Sequence, residues 1–180
     1  MKIPKIVAWP RQGFAELIDQ RRYKIGVEVG VDKGEFSHLL LARSGLSKLY
    51  SVDMWNNKTG LLRKQNAESL LALFPGRSEV MHTTSVDAAA ALTAAGVTVD
   101  FVYLDDDHRA RGVRSSIYTW WPLLRSGGCM AGHDYIDGGR AEIGQRMCGV
   151  IPAVNRLAGR RRQLFLTCEE PWKSWFLFKE

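Results

Sequence analysis

The chain has 180 residues, 46% hydrophobic and 24% charged, and its 25 Lys+Arg against 19 Asp+Glu give a net charge of +6. This is ordinary globular usage, which excludes a disordered or fibrous chain, and the length suits one domain over residues 1–180 with a sizeable core. No stretch approaches the ~18 unbroken apolar residues of a membrane span, and the opening residues, with Pro4, Pro10 and Arg11, lack the apolar core of a signal peptide, so a cytoplasmic location is expected.

After an N-terminal lead-in over residues 1–23, short apolar runs alternate with longer helical patterns. Strands are expected at Lys24 to Val29, Leu49 to Val52, Glu79 to His82, Val99 to Leu104 and Gly128 to Ala131. Between them the spacing predicts helices at about Gly34 to Ala42, Thr59 to Phe74, Ser85 to Ala95 and Arg109 to Leu124, the third capped by the Ser85 hydroxyl. Leu164 to Thr167 and Ser174 to Lys179 follow with no helix between them and read as an antiparallel hairpin. The expected fold is therefore α/β: a Rossmann-like, seven-stranded, mostly parallel sheet ending in that hairpin, with helices on both faces. The Arg- and Gly-rich segment 137–162 is too long for a plain connection and reads as a cap or insertion. Cys129, Cys148 and Cys168 are odd in number and form no CxxC pair, which fits reduced thiols better than a disulfide frame or zinc site.

In an open α/β sheet, ligands sit beyond the carboxyl ends of the strands. The first such end carries Glu28-Val29-Gly30-Val31-Asp32-Lys33-Gly34. Gly30 permits close backbone approach to a ligand, although the GxxxG spacing is no pyrophosphate fingerprint and equally suits a plain tight turn. Asp53 ends the next strand, 23 residues beyond Gly30, where a carboxylate can accept both hydroxyls of a ribose or simply form a turn. Asp105-Asp106-Asp107-His108 follows a third strand and Gly132-His133-Asp134-Tyr135 closes a fourth. If those strands are neighbours, Asp105 and Asp134 converge on one hard cation, Mg²⁺, Ca²⁺ or Mn²⁺, with a histidine nearby shifting the choice toward transition metals; otherwise they are unrelated polar strand ends.

In combination these motifs resemble the class I S-adenosylmethionine-dependent methyltransferases. They are similar in particular to short bacterial sugar- and catechol-type O-methyltransferases, whose later motifs read Asp-Gly-Asp-His and Gly-Gly-x-x-x-Gly-His-Asp-Tyr. The counterparts are Tyr103 to His108 and Gly127 to Tyr135, and the resemblance runs from about Ile25 to Lys179. It implies that the turn from Glu28 through Gly30 to Gly34 embraces the amino-acid part of the cofactor, that Asp53 holds the ribose and that Ser85 lies near the adenine, with Asp105 also among the cofactor contacts. It further implies that Asp105 and Asp134 hold a divalent metal, Mg²⁺ first, with His133 alongside, and that Asp107 or His108 is the base. Two departures stand out: Asp106 replaces a glycine of the family pattern, and Arg109-Ala110-Arg111 replaces a Ser-Tyr-Glu run.

The activity implied by the resemblance is metal-assisted O-methylation of a small hydroxylated acceptor, sugar-like or phenolic. Arg109, Arg111, Arg114 and the run Arg160 to Arg162 favour an anionic one. A homodimer would help so short a chain to build the acceptor pocket. The basic balance also admits an RNA or DNA methyltransferase, or a non-catalytic nucleic-acid-binding domain on the same scaffold, though the sequence shows no appended RNA-binding module.

Overall fold

The structure, a computed structural model, describes residues 2–136, 149–160 and 162–180. In chain order its first elements are β1 (Lys5–Ile6), α1 (Phe14–Arg21), β2 (Ile25–Val29), α2 (Glu35–Arg43), β3 (Lys48–Asp53), α3 (Lys58–Leu71) and β4 (Ser78–His82). They are followed by α4 (Ser85–Ala94), β5 (Val99–Leu104), α5 (Ala110–Trp120), β6 (Leu124–Gly132), α6 (Val150–Ala158), β7 (Phe165–Leu166) and β8 (Trp175–Phe178).

One sheet of eight strands takes the order β1-β7-β8-β6-β5-β2-β3-β4. Its pairs are parallel except for β8, which runs antiparallel to both β6 and β7. The expected Rossmann-like sheet and terminal hairpin are therefore present. Alternation along the strands divides the core between two faces. Val102 and Leu104 of β5, with Met130 of β6, pack under α4, α5 and α6 through Leu92, Ile117, Trp120 and Val154. Phe101 and Tyr103, with Cys129 and Ala131, pack on the opposite face under Phe14, Ile18, Phe36 and Leu40 of α1 and α2.

Four expectations shift. The sheet has eight strands because residues 1–23 do more than lead in: β1 pairs with β7, and Phe14 and Ile18 of α1 are buried. A two-residue exposed strand has no alternation to read in sequence. The helix expected over Arg109 to Leu124 stops at Trp120, and β6 starts at Leu124, well before Gly128. The pairings Val99 with Leu124 and Phe101 with Cys129 leave the Arg125–Gly128 stretch bulged out of the ladder, so the glycine pair bends a strand instead of preceding one. The cap of α4 is Thr84, whose hydroxyl accepts the Asp87 N–H at 3.1 Å, one residue ahead of Ser85. Of the segment 137–162, residues 137–148, including Cys148, and residue 161 lie outside the described residues. The remainder forms α6, which buries Val150, Ala153, Val154 and Ala158 in the core.

The order of strands sets the place of a site. From β2 the chain moves outward through β3 and β4, then returns to β5 on the other side of β2. This reversal opens a crevice at the carboxyl ends of β2 and β5, where Gly30 and Asp105 stand. Among the described residues no helix is long and apolar enough to cross a membrane.

Candidate active site

The turn after β2 is braced from both sides. Gly30 has φ 91°, and a side chain there would run into the backbone carbonyl of Asp105. The Asp105 N–H in turn donates to Val29 O at 2.7 Å, and the Gly30 N–H to Val52 O at 2.9 Å. The Asp53 carboxylate accepts the N–H of Asp32 at 2.9 Å and that of Trp55 at 3.1 Å, while the buried Trp55 indole donates to Asp32 O at 2.8 Å. These bonds hold Asp32 at φ 52°, a left-handed conformation that aspartate tolerates better than most residues. Gly34, at φ 85°, starts α2, and a Cβ there would stand 2.9 Å from Ala67 Cα, so this glycine serves close packing of the turn on α3.

A cavity of about 690 Å³ lies over these strand ends, and its walls include Gly30, Asp53, Trp55, Ser85, Asp105 and His108. Four of the six residues expected at the cofactor thus share one cavity. The Ser85 hydroxyl is steadied from behind by the Trp120 indole, which donates to it at 2.9 Å. Glu28 instead lines an adjoining cavity of about 390 Å³ that shares Gly30, Asp32 and Asp105 with the larger one. Burial pushes the Glu28 carboxyl up to about 8, against partial relief from Arg11 and from the hydroxyl bond of Ser37.

The acidic strand ends do converge. β5 and β6 are neighbours, and Asp105, His108 and Asp134 present one ligand atom each, all within 4.8 Å of one another. His108 Nε2 is hydrogen-bonded to Asp134 and lies 3.6 Å from Asp105 Oδ1. His133 Nδ1 is 3.0 Å from Asp134 and 3.9 Å from Asp105, so it stands beside the cluster. Bonds to Asp105 and Asp134 push His108 up to about 10. Burial works against ionisation of Asp134, yet hydrogen bonds from His108 and His133 outweigh it and hold that carboxyl well below the usual range. Two carboxylates and an imidazole suit a divalent cation of the transition series as well as Mg²⁺. Asp107 lines the same cavity but stands outside this cluster: Arg109 grips both its oxygens, through Nε at 2.9 Å and Nη2 at 2.6 Å, and holds it below the usual carboxylate range.

Two features had no signal in the local sequence. Asp106, which stands where the resembled pattern has glycine, turns inward and accepts the Ser116 hydroxyl of α5 at 2.8 Å. Arg11, from the turn before α1, crosses to the same strand ends and donates to Asp105 Oδ2 at 3.0 Å. Only the packing of α1 against the sheet brings that side chain, 94 residues away in sequence, to Asp105.

A family model described as a methyltransferase domain matches residues 27–135. No curated protein sequence matches the chain. Among solved structures, the chain is similar to the O-methyltransferase from Bacillus cereus in complex with S-adenosylhomocysteine, with 16% identity over 94% of this chain and 80% of that one and a TM-score of 0.71. It is similar also to the O-methyltransferase TomG from Streptomyces achromogenes in complex with S-adenosylmethionine, at 17% identity, 94% and 79% coverage and a TM-score of 0.72. The N-methyltransferase NodS from Bradyrhizobium japonicum gives 14% identity, 94% and 95% coverage and a TM-score of 0.67. At such identities the likeness is one of fold, and it spans proteins that methylate oxygen and nitrogen.

Proposed function

The chain belongs to the methyltransferase-domain family, and on that premise we propose that it transfers a methyl group from S-adenosylmethionine to an oxygen of a small hydroxylated acceptor. The observation that carries this reading is the cavity in which Gly30, Asp53 and Ser85 on one side meet Asp105 and His108 on the other. Asp53 accepts the ribose hydroxyls, Gly30 lets the cofactor lie against backbone, and Ser85 faces the adenine. A cofactor held this way would offer its sulfonium methyl on the side of the cavity where Asp105 and His108 stand. An acceptor oxygen held about 3 Å from that methyl attacks in line. The C–S bond breaks with its electron pair returning to sulfur, and S-adenosylhomocysteine leaves.

Asp105 and Asp134 are the carboxylates that would hold a divalent ion, with His133 beside Asp134, which leaves the His108 imidazole to serve as the base. Such an ion would supply a Lewis acid for the acceptor oxygen and neutralise the carboxylates that hold the His108 proton. His108 takes the acceptor proton in preference to Asp107, because Arg109 already occupies both Asp107 oxygens.

Calorimetric titration with S-adenosylhomocysteine, with and without Mg²⁺, tests the reading. Saturable one-site binding is expected, and folded protein that binds none of it overturns the proposal. A salt series with oligonucleotides gives almost no slope for a small acceptor and a steep one for a nucleic-acid substrate.

A further inference from the structure

Arg11 lies outside residues 27–135, which the family model matches, yet it reaches the cavity beyond β2 and β5. Its guanidinium is sandwiched by chemistry of several kinds. Nη2 donates to Asp105 at 3.0 Å, and the guanidinium carbon stands 4.1 Å from the Phe36 ring centroid and 4.8 Å from that of Tyr103. These contacts fix the plane of the group before any ligand arrives. Several donors are unused, and one of them, Arg11 Nε, is buried without a hydrogen-bond partner among the described residues. A charged group with unused donors at a cavity wall is costly to leave unpaired, and the Nη N–H groups that Asp105 does not take point to an acceptor from outside the chain.

The space beside it has room for one. The cavity of about 390 Å³ is lined by Arg11, Glu28, Gly30, Lys33, Phe36 and Asp105, and it adjoins the larger cavity at Gly30 and Asp105. A cofactor whose ribose sits at Asp53 and whose chain passes Gly30 has its amino-acid end here. That end carries one carboxylate and one ammonium, and Arg11 is the preorganised cation with an open donor. Asp105 takes only part of a guanidinium that offers five N–H groups in a fork matched to carboxylates.

We infer that Arg11 receives the carboxylate of the cofactor's amino-acid end, making it a binding residue contributed by the N-terminal segment. The inference rests on the methyltransferase reading, since it takes S-adenosylmethionine as the ligand. The rival cation is Lys33, which lines the same cavity from an exposed position. The alternative role for Arg11 is structural: to neutralise Asp105 and nothing more.

Calorimetry with two ligands decides between them. S-adenosylhomocysteine carries the carboxylate, whereas S-adenosyl-3-thiopropylamine keeps the adenosine, sulfur and amine without it. Wild-type protein is expected to bind the first about ten- to hundredfold more tightly, the range of a charge-assisted hydrogen bond. Arg11→Met should lose that preference by weakening S-adenosylhomocysteine alone, and Arg11→Lys should restore part of it. Equal weakening of both ligands by Arg11→Met overturns the inference, as does a wild type that shows no preference. Loss of the preference in Lys33→Met with its retention in Arg11→Lys assigns the carboxylate to Lys33 and overturns it too. Should Arg11→Met fail to fold, the wild-type preference and the Arg11→Lys and Lys33→Met proteins still decide. A wild type that binds S-adenosylhomocysteine but fails these arms refutes only the role of Arg11. One that binds neither ligand refutes the methyltransferase reading with it.

Discussion

The Asp53 carboxylate accepts the backbone N–H of Asp32 at 2.9 Å, so the tip of β3 holds the turn that follows β2. The residue proposed to bind the ribose therefore also shapes the neighbouring wall of the cavity. These two roles separate by substitution. Asp53→Asn keeps an oxygen acceptor for Asp32 but loses the charge, and it should weaken S-adenosylhomocysteine binding roughly tenfold with little change in Tm. Asp53→Ala should weaken binding further and cost about 1–2 kcal/mol of stability, read by denaturant unfolding.

Gly30 tests the strand crossing itself. An alanine there must adopt φ 91° and place its Cβ against the Asp105 carbonyl. Gly30→Ala should cost about 2–5 kcal/mol through strain and overpacking together. Because the β2 and β5 ends would separate, cofactor binding should fall in the same protein. An unchanged unfolding midpoint would contradict the observed approach of the two strands.

The cluster of Asp105, His108 and Asp134 predicts a metal dependence that is separable from cofactor binding. Chelation should lower turnover and added Mg²⁺ or Mn²⁺ should restore it. Asp134→Asn should weaken Mn²⁺ binding by at least about tenfold while leaving S-adenosylhomocysteine affinity near that of the wild type. Full activity after exhaustive chelation would remove the metal from the mechanism.

Glu28 gives the pH dependence. Burial raises its carboxyl from 4.5 to about 8, so folding takes up a proton in that window. A raised pKa contributes stability that is fully present below pH 4.5 and lost as pH rises through about 8. Glu28→Gln cannot ionise, so its Tm should decline less than that of the wild type between these two limits. Parallel melting curves across the window would mean that Glu28 is ionised in the folded protein, held so by Arg11.

Much of this was legible in the sequence because it depends on near neighbours along the chain. The strand Val99–Leu104 alternates its apolar residues between two faces, and both faces are covered. Gly30 and Asp53 announced themselves by type and by position at strand ends, and they line one cavity. The Ser85 hydroxyl was expected to cap α4, but Thr84 does so, and Ser85 accepts the Trp120 indole N–H, a tertiary contact with no local signal.

Residues that depend on the register of distant segments were a different matter. His133 is adjacent to Asp134 in sequence, yet His108 shares the tightest cluster, because the loop after β5 folds its fourth residue back toward β6. β1 has too few residues to show a pattern, and it exists only because β7 offers it an edge. The alternation of elements, the two-faced core and the carboxylates at strand ends could be read along the chain, since periodicity and turn chemistry act over a few residues. The meeting of Arg11 with Asp105 and the second cavity at Glu28 had to await the folded chain, because those contacts arise where helices close over a sheet whose strand order reverses.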